Sequence, residues 1–287
     1  MTRLLHCGRY RLDLRAPCVM GVINVTPDSF SDGGELFGPR GLDLGAVRAR
    51  AEQMCADGAA LLDVGGESTR PGAATVAAAD EMSRVLPVVE ALVPLGVPIS
   101  VDTSNPDLMR AAIAAGASMI NDVRGLSRPG ALAAVAATDV GLCVMHMQGE
   151  PGTMQQAPQY DDVVTAVNGY LRHRVDACLA AGIAPARLLV DPGFGFGKTP
   201  AHNLRLLAHL EAFADLGVPL LVGLSRKGTI GVVTGQTDAR LRMAGSIAAA
   251  VLAAERGARV IRAHDVRETV DALRVLAAVR EATREAG

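Results

Sequence analysis

Tryptophan is absent from the chain, and three tyrosines and five phenylalanines are its whole aromatic complement. Little is therefore available for stacking bases. No Lys/Arg-rich block stands out and the formal net charge is only −2, so nucleic acid is not an expected partner. The five cysteines, Cys7, Cys18, Cys55, Cys143 and Cys178, are odd in number and form no CxxC pair. Neither a disulfide framework nor a zinc knuckle is expected from them. No apolar run approaches membrane-spanning length, and the first residues lack the apolar core of a secretion signal. A cytoplasmic protein without a membrane partner is the expectation. The P-loop pattern around Gly197-Lys198-Thr199 fails at Pro192, glycines 193, 195 and 197 do not spell GxGxxG, and no HExxH occurs. His202 and His209 are read as solvated helix residues, and the alternating Arg and Glu after Arg267 as a solvated face.

What the chain does have is apolar material, 49% of its 287 residues against 20% charged, enough for a large core. A hairpin is expected over Leu4–Leu14, turning at Gly8-Arg9. From Val19 onward short aliphatic runs alternate with helix-period segments. The run Leu188–Val190 carries no polar alternation, as a parallel strand buried on both faces requires. The runs end near residues 24, 65, 102, 121, 146, 191, 225 and 264. Six helix-to-strand joints share one grammar, a glycine before a small or branched apolar residue: Gly58, Gly96, Gly116, Gly182, Gly217 and Gly257. Glycine suits the left-handed turn just past a helix end. Within the series, a helix over Asp80–Leu95 is expected to break near Pro87. Eight β-then-α units predict an α/β fold, a (β/α)8 TIM barrel. No composition shift or linker divides it, so residues 1–287 are expected to form one domain, with the hairpin plugging the barrel's N-terminal mouth.

In such barrels the site lies where strands end, and here the strand ends are polar. They carry Asn24, Asp63, Asp102, Asn121, His146, Asp191, Ser225-Arg226-Lys227, Arg262 and His264. A lone buried Asp costs several kcal/mol unless it is bonded or paired, so a row of such strand ends points to a ligand. Asp63 is read more blandly, as an acceptor for a neighbouring loop's N–H groups, and Asp122 as a cap for the segment after it. Asp102, Asn121 and Asp191 offer acceptors and an amide, which suits a small heterocycle with an amino-pyrimidinone edge. Lys227, Arg262, His264 and Arg70 offer cations for a phosphate or pyrophosphate. A helix beginning at Gly228 adds free backbone N–H groups for an anion.

Taken together, several stretches resemble the dihydropteroate synthase family of pterin-binding enzymes. They are residues 20–34 (MGVINVTPDSFSDGG), 63–72 (DVGGESTRPG), 101–103 (VDT), 120–122 (IND), 145–149 (MHMQG), 191–198 (DPGFGFGK), 225–227 (SRK) and 262–265 (RAHD). The resemblance implies a transferase that joins 6-hydroxymethyl-7,8-dihydropterin pyrophosphate to 4-aminobenzoate, with Mg²⁺ present and pyrophosphate released. It implies a pterin held by Asp102, Asn121, Asp191 and Lys227, with Arg262 over its ring. Pyrophosphate would meet Asn24, Thr69, Arg70, Arg262 and His264, with Mg²⁺ near Asn24. Aminobenzoate would meet Phe30, Thr69, Pro71, Phe196, Lys227 and Gly228. The leaving group would depart first, Asp28 would steady the resulting cation, and Lys227 and Arg262 would complete the catalytic set. Loops Thr26–Gly34 and Ser68–Gly72 would close over the site, and a homodimer would form through the later helices. One departure from the family pattern is Gly228, where a hydroxyl residue is usual. Two other readings share the pterin-facing residues: a methyltetrahydrofolate-type methyltransferase and a catalytically silent pterin-binding paralogue.

Overall fold

The computed structural model describes residues 4–26, 36–38, 41–67, 77–150 and 152–285. Eight parallel strands close into a barrel, and each pairs with its neighbours in chain order. They are β1 (Cys18–Asn24), β2 (Leu61–Gly65), β3 (Ile99–Asp102), β4 (Met119–Asp122), β5 (Gly141–Met145), β6 (Leu188–Asp191), β7 (Leu220–Val222) and β8 (Ala258–Ala263). The helices are α1 (Leu44–Ala56), α2 (Ala78–Leu92), α3 (Pro106–Ala114), α4 (Ala131–Ala136), α5 (Val163–Ala180), α6 (Pro200–Ala208), α7 (Gly228–Thr234), α8 (Met243–Glu255) and α9 (Val266–Glu285). This is the (β/α)8 architecture expected from the sequence, with α7 and α8 both lying between β7 and β8. Among the described residues no helix is long and apolar enough to cross a membrane.

The period of two along a strand sorts its residues between two cores. Val19, Ile23, Leu62, Val64, Ile99, Val101, Leu142, Val144, Leu188 and Val190 pack outward with the helices. Met20, Leu61, Met119, Cys143, Leu189, Leu221 and Val260 fill the interior in a second cluster. The hairpin, strands Leu4–Cys7 and Tyr10–Asp13, joins that second cluster through Leu5, Cys7 and Leu14. The Gly8 N–H donates to the Asp139 carbonyl at 3.0 Å, which fixes the hairpin beneath the β4–β5 side. The barrel is thus plugged at its N-terminal end, as expected.

The six glycines that join helix to strand have φ between 71° and 106°, the left-handed region their position demands. Pro87 does not break its helix, contrary to the sequence expectation. Proline in a helix interior costs about 3 kcal/mol. Val85, Val88, Val89 and Leu92 of α2 are completely buried, and each such burial is worth about 1.5–3 kcal/mol. The packed face prevails, and α2 runs on to a short 3-10 turn, Val93–Leu95.

Candidate active site

The inward face of each strand continues upward from the apolar layer. Two residues above Leu61, Met119, Leu189 and Val260 stand Asp63, Asn121, Asp191 and Arg262, so all four point into the upper barrel. The register places Asp102 of β3 directly beside Asn121 of β4. Arg262 reaches across from β8, donating Nε to Asp63 Oδ2 at 2.6 Å and Nη2 to Asp102 Oδ2 at 3.4 Å. Asn121 Nδ2 donates to the same Asp63 oxygen at 3.3 Å. Asp63, expected from the sequence to accept from a neighbouring loop, is instead the fully buried carboxylate that aims Arg262 and Asn121. Its two-residue offset from Leu61, shared with the other three, was the available signal. Asp122, by contrast, caps as expected, accepting from the Arg124 and Leu126 N–H groups at 2.8 Å each.

The electrostatics of this layer follow from burial. Asp102 is held above the ordinary carboxylate range, first by burial and next by the Asp63 charge, with Arg262 opposing both. Asp191 is likewise raised by burial, against the pull of Lys227 and the Gly193 N–H, which donates to Asp191 Oδ1 at 2.7 Å. Burial lowers the Lys227 ammonium to about 8 although Asp191 draws it up. Two buried oxygens here, Asp63 Oδ1 and Asn121 Oδ1, have no protein donor among the described residues. Buried acceptors are rarely left so, and they mark where ligand N–H groups fit.

A second cluster forms between the loop after β6 and the start of α7. Lys227 lies over the Phe196 ring, 4.6 Å from its centroid, and donates to the Phe194 carbonyl. It is also the residue from which α7 begins, so Gly228 is the helix's first residue and is exposed. Arg226 sits at φ 58°, a strained value for a side chain of its size. A two-pronged pair with Asp265 holds it there, Nε to Oδ2 at 3.1 Å and Nη2 to Oδ1 at 2.5 Å. His264 Nδ1 lies 3.0 Å from Ser225 Oγ. Asn24 ends β1 opposite Gly65.

The structure therefore gathers Asp102, Asn121, Arg262, Asp191, Lys227 and Phe196 around one mouth, with Asn24, His264 and Gly228 on its rim. Asp28, Phe30, Thr69, Arg70 and Pro71 lie outside the described residues. Two histidines depart from the sequence reading. His146, one of the polar strand ends, is buried against Lys198 and pushed down to about 3, by burial and then by the Lys198 charge. His202 is half-buried rather than freely solvated: it completes a capping box with Thr199 and meets the Tyr160 ring edge-on at 5.0 Å.

The sequence profile described as "Pterin binding enzyme" matches residues 20–264. With the barrel, that match defines the class: a pterin-binding enzyme built on a (β/α)8 barrel. The chain is 53% identical over 272 residues to the dihydropteroate synthase of Escherichia coli (strain K12), with 94% of each covered. It is similar to a solved Xanthomonas albilineans dihydropteroate synthase with 4-aminobenzoic acid, at 52% identity and a TM-score of 0.90, covering 98% of this chain and 99% of that one. It is also similar to a Burkholderia cenocepacia dihydropteroate synthase complexed with 7,8-dihydropteroate, at 50% identity and a TM-score of 0.87, covering 98% of each. The chain belongs to the dihydropteroate synthase family of transferases.

Proposed function

We propose that this barrel mouth condenses 6-hydroxymethyl-7,8-dihydropterin pyrophosphate with 4-aminobenzoate, using the residues as follows. The pterin's N–H edge meets Asp102, Asn121 and Asp191, and Lys227 completes its site. Arg262, aimed by Asp63, covers the ring and faces the pyrophosphate. Asn24, His264, Thr69 and Arg70 complete the pyrophosphate site. Phe30, Thr69, Pro71, Phe196, Lys227 and the start of α7 at Gly228 hold the aminobenzoate. The pyrophosphate leaves with its bonding pair, Asp28 steadies the cation left at the exocyclic carbon, and the aromatic amine attacks that carbon and loses a proton. Fixed charges and dipoles aimed at developing charge supply the catalysis.

The observation that carries this reading is the pair of buried, unpartnered oxygens on Asp63 and Asn121 beside two raised carboxyls. Such acceptors match a ligand edge rich in N–H donors.

Magnesium fits the donor set. The described residues contain no cluster of three acidic, histidine or cysteine ligands. Mg²⁺ commonly takes one or two protein oxygens and the rest from water and substrate phosphates, and the Asn24 side-chain oxygen at the rim suits that share. When bound, it would neutralise charge on the pyrophosphate.

One barrel domain carries the whole site in this reading. The exposed side chains of Val232, Val233, Leu241, Val275 and Val279 support a homodimer through α7 to α9. Five free thiols support a reducing, cytoplasmic setting.

Incubation with both substrates and Mg²⁺ is expected to yield dihydropteroate and pyrophosphate in equal amounts. Tight pterin binding with no turnover would leave the silent paralogue standing and refute the proposal.

A further inference from the structure

The loop between β6 and α6 has an unusual backbone. Gly193, Gly195 and Gly197 sit at φ 71°, 79° and 63°, alternating with Phe194 and Phe196. A Cβ at 193 would fall 1.8 Å from the His146 carbonyl oxygen, and one at 197 would fall 2.2 Å from that of Gln148. The loop is therefore pressed against the end of β5, where only glycine fits. Every carbonyl from 193 to 197 accepts from a side chain. Lys198 takes those of Gly193 and Phe196 at 2.9 and 3.0 Å, and Lys227 takes that of Phe194. Gln155 takes that of Gly195 at 2.5 Å and Tyr160 that of Gly197 at 2.8 Å.

Lys198 is the centre of this arrangement and has no part in the chemistry described above. Its side chain is 2% exposed, and its ammonium also meets His146 Nδ1 at 2.9 Å and the His146 carbonyl at 3.4 Å. No carboxylate pairs with it among its hydrogen-bonded partners. Burying an ammonium among neutral acceptors is costly, and burial accordingly lowers this one to about 7. An apolar side chain could fill the space at less cost. What it could not do is hold two carbonyls, three residues apart, at a fixed spacing.

We propose that Lys198 is a positioning residue for the aminobenzoate half of the reaction. By gathering the Gly193 and Phe196 carbonyls it sets the Phe196 ring and the Phe194 carbonyl against Lys227. Asn203 holds the same loop from its other side, accepting from the Gly195 N–H at 2.9 Å and donating to Thr229 of α7 at 2.9 Å. The loop and the helix start are thereby one rigid wall of the pocket. The inference rests on the assignment of Phe196, Lys227 and Gly228 to aminobenzoate.

The test compares Lys198→Met and Lys198→Ala with the unaltered enzyme, varying each substrate in turn. The Michaelis constant for aminobenzoate is expected to rise about tenfold, equivalent to about 1.4 kcal/mol. That for the pterin pyrophosphate should rise less, by no more than about threefold, since Lys198 reaches the pterin site only indirectly, through Lys227 and Asp191, while the contacts on β3 and β4 are untouched. Propylammonium, which replaces the atoms removed in Lys198→Ala, should lower the aminobenzoate constant again, and 1-propanol should not. Equal changes in both constants, no rescue by the amine, or variants that fail to fold would each overturn the proposal and make Lys198 a stability element only. Failure of the unaltered enzyme to turn over would instead refute the site assignment itself.

Discussion

Asp63→Asn probes the site at its most deeply buried charge. That carboxylate holds Arg262 Nε at 2.6 Å and Asn121 Nδ2 at 3.3 Å. Removing one member of a buried ion pair costs about 3–5 kcal/mol when the other charge is stranded. Two features reduce the loss here. Arg262 keeps Asp102 at 3.4 Å and retains 19% side-chain exposure, so solvent screens what remains. The amide oxygen of the variant can still accept one of the two bonds. A loss of about 2 kcal/mol is expected, read as a lower midpoint in urea.

The kinetic signature is more specific. After burial, the Asp63 charge is the largest cause holding Asp102 above the ordinary carboxylate range. With that charge gone, Asp102 ionises at lower pH. Ligand N–H groups need the ionised form as acceptor, so the acid limb of kcat/KM for the pterin pyrophosphate moves to lower pH. Above that limb kcat/KM falls about tenfold, the equivalent of about 1.4 kcal/mol, because Arg262 is no longer aimed. Stability follows the same sign. A carboxyl raised above its unfolded value contributes fully below that unfolded value, and the contribution is lost as pH rises through the folded value. In the variant this decline with pH is complete sooner. Pyrophosphate release at saturating aminobenzoate, followed from acid to alkaline pH, reads both effects. An unmoved acid limb with an unchanged plateau would refute the coupling of Asp63 to Asp102 and Arg262.

Three further outcomes are expected. Asp191→Ala should weaken binding of a pterin analogue by about 1.5–3 kcal/mol, the worth of a bond to a charged group; calorimetry showing unchanged affinity would remove Asp191 from the pterin site. Gly228→Ser should lower the aminobenzoate Michaelis constant several-fold, from a hydroxyl bond worth about 0.5–1.5 kcal/mol, and tighten sulfonamides that mimic aminobenzoate. A Cβ at 228 meets nothing within 4 Å, so a clash does not stand in the way; a raised constant in steady-state kinetics would show that residue 228 is misplaced. Because Thr69 is assigned to both pockets, 4-aminobenzoate should bind poorly alone and much better with pyrophosphate and Mg²⁺ present, and equal affinities by calorimetry would count against that order.

Most strands were legible because a short, largely aliphatic run gives way to a polar residue at or near its end. Leu188-Leu189-Val190 followed by Asp191 is the plainest case. Left-handed glycines at the joints made the repeat countable. Less legible was whatever depended on partners distant in the chain. Asp63 and Arg262 are 199 positions apart, and no local pattern announces that one carboxylate aims the other's guanidinium. Pro87 misled because its local penalty is visible in sequence whereas the buried face that outweighs it is not. His146 counted among the polar strand ends, yet it faces Lys198 in the wall. Asp28, Phe30, Thr69 and Pro71 rest on a resemblance and Arg70 also on its charge, and all five lie outside the described residues.

The hairpin at the foot of the barrel has a consequence for traffic. With Leu5, Cys7 and Leu14 filling that end, the barrel is a cup, and whatever enters must leave by the same rim. In the proposed site the pterin contacts lie on the strands inside the cup, so the pterin would arrive first and depart last, by then carrying the aminobenzoate. Pyrophosphate and the incoming amine would share one doorway, which puts their passages in sequence.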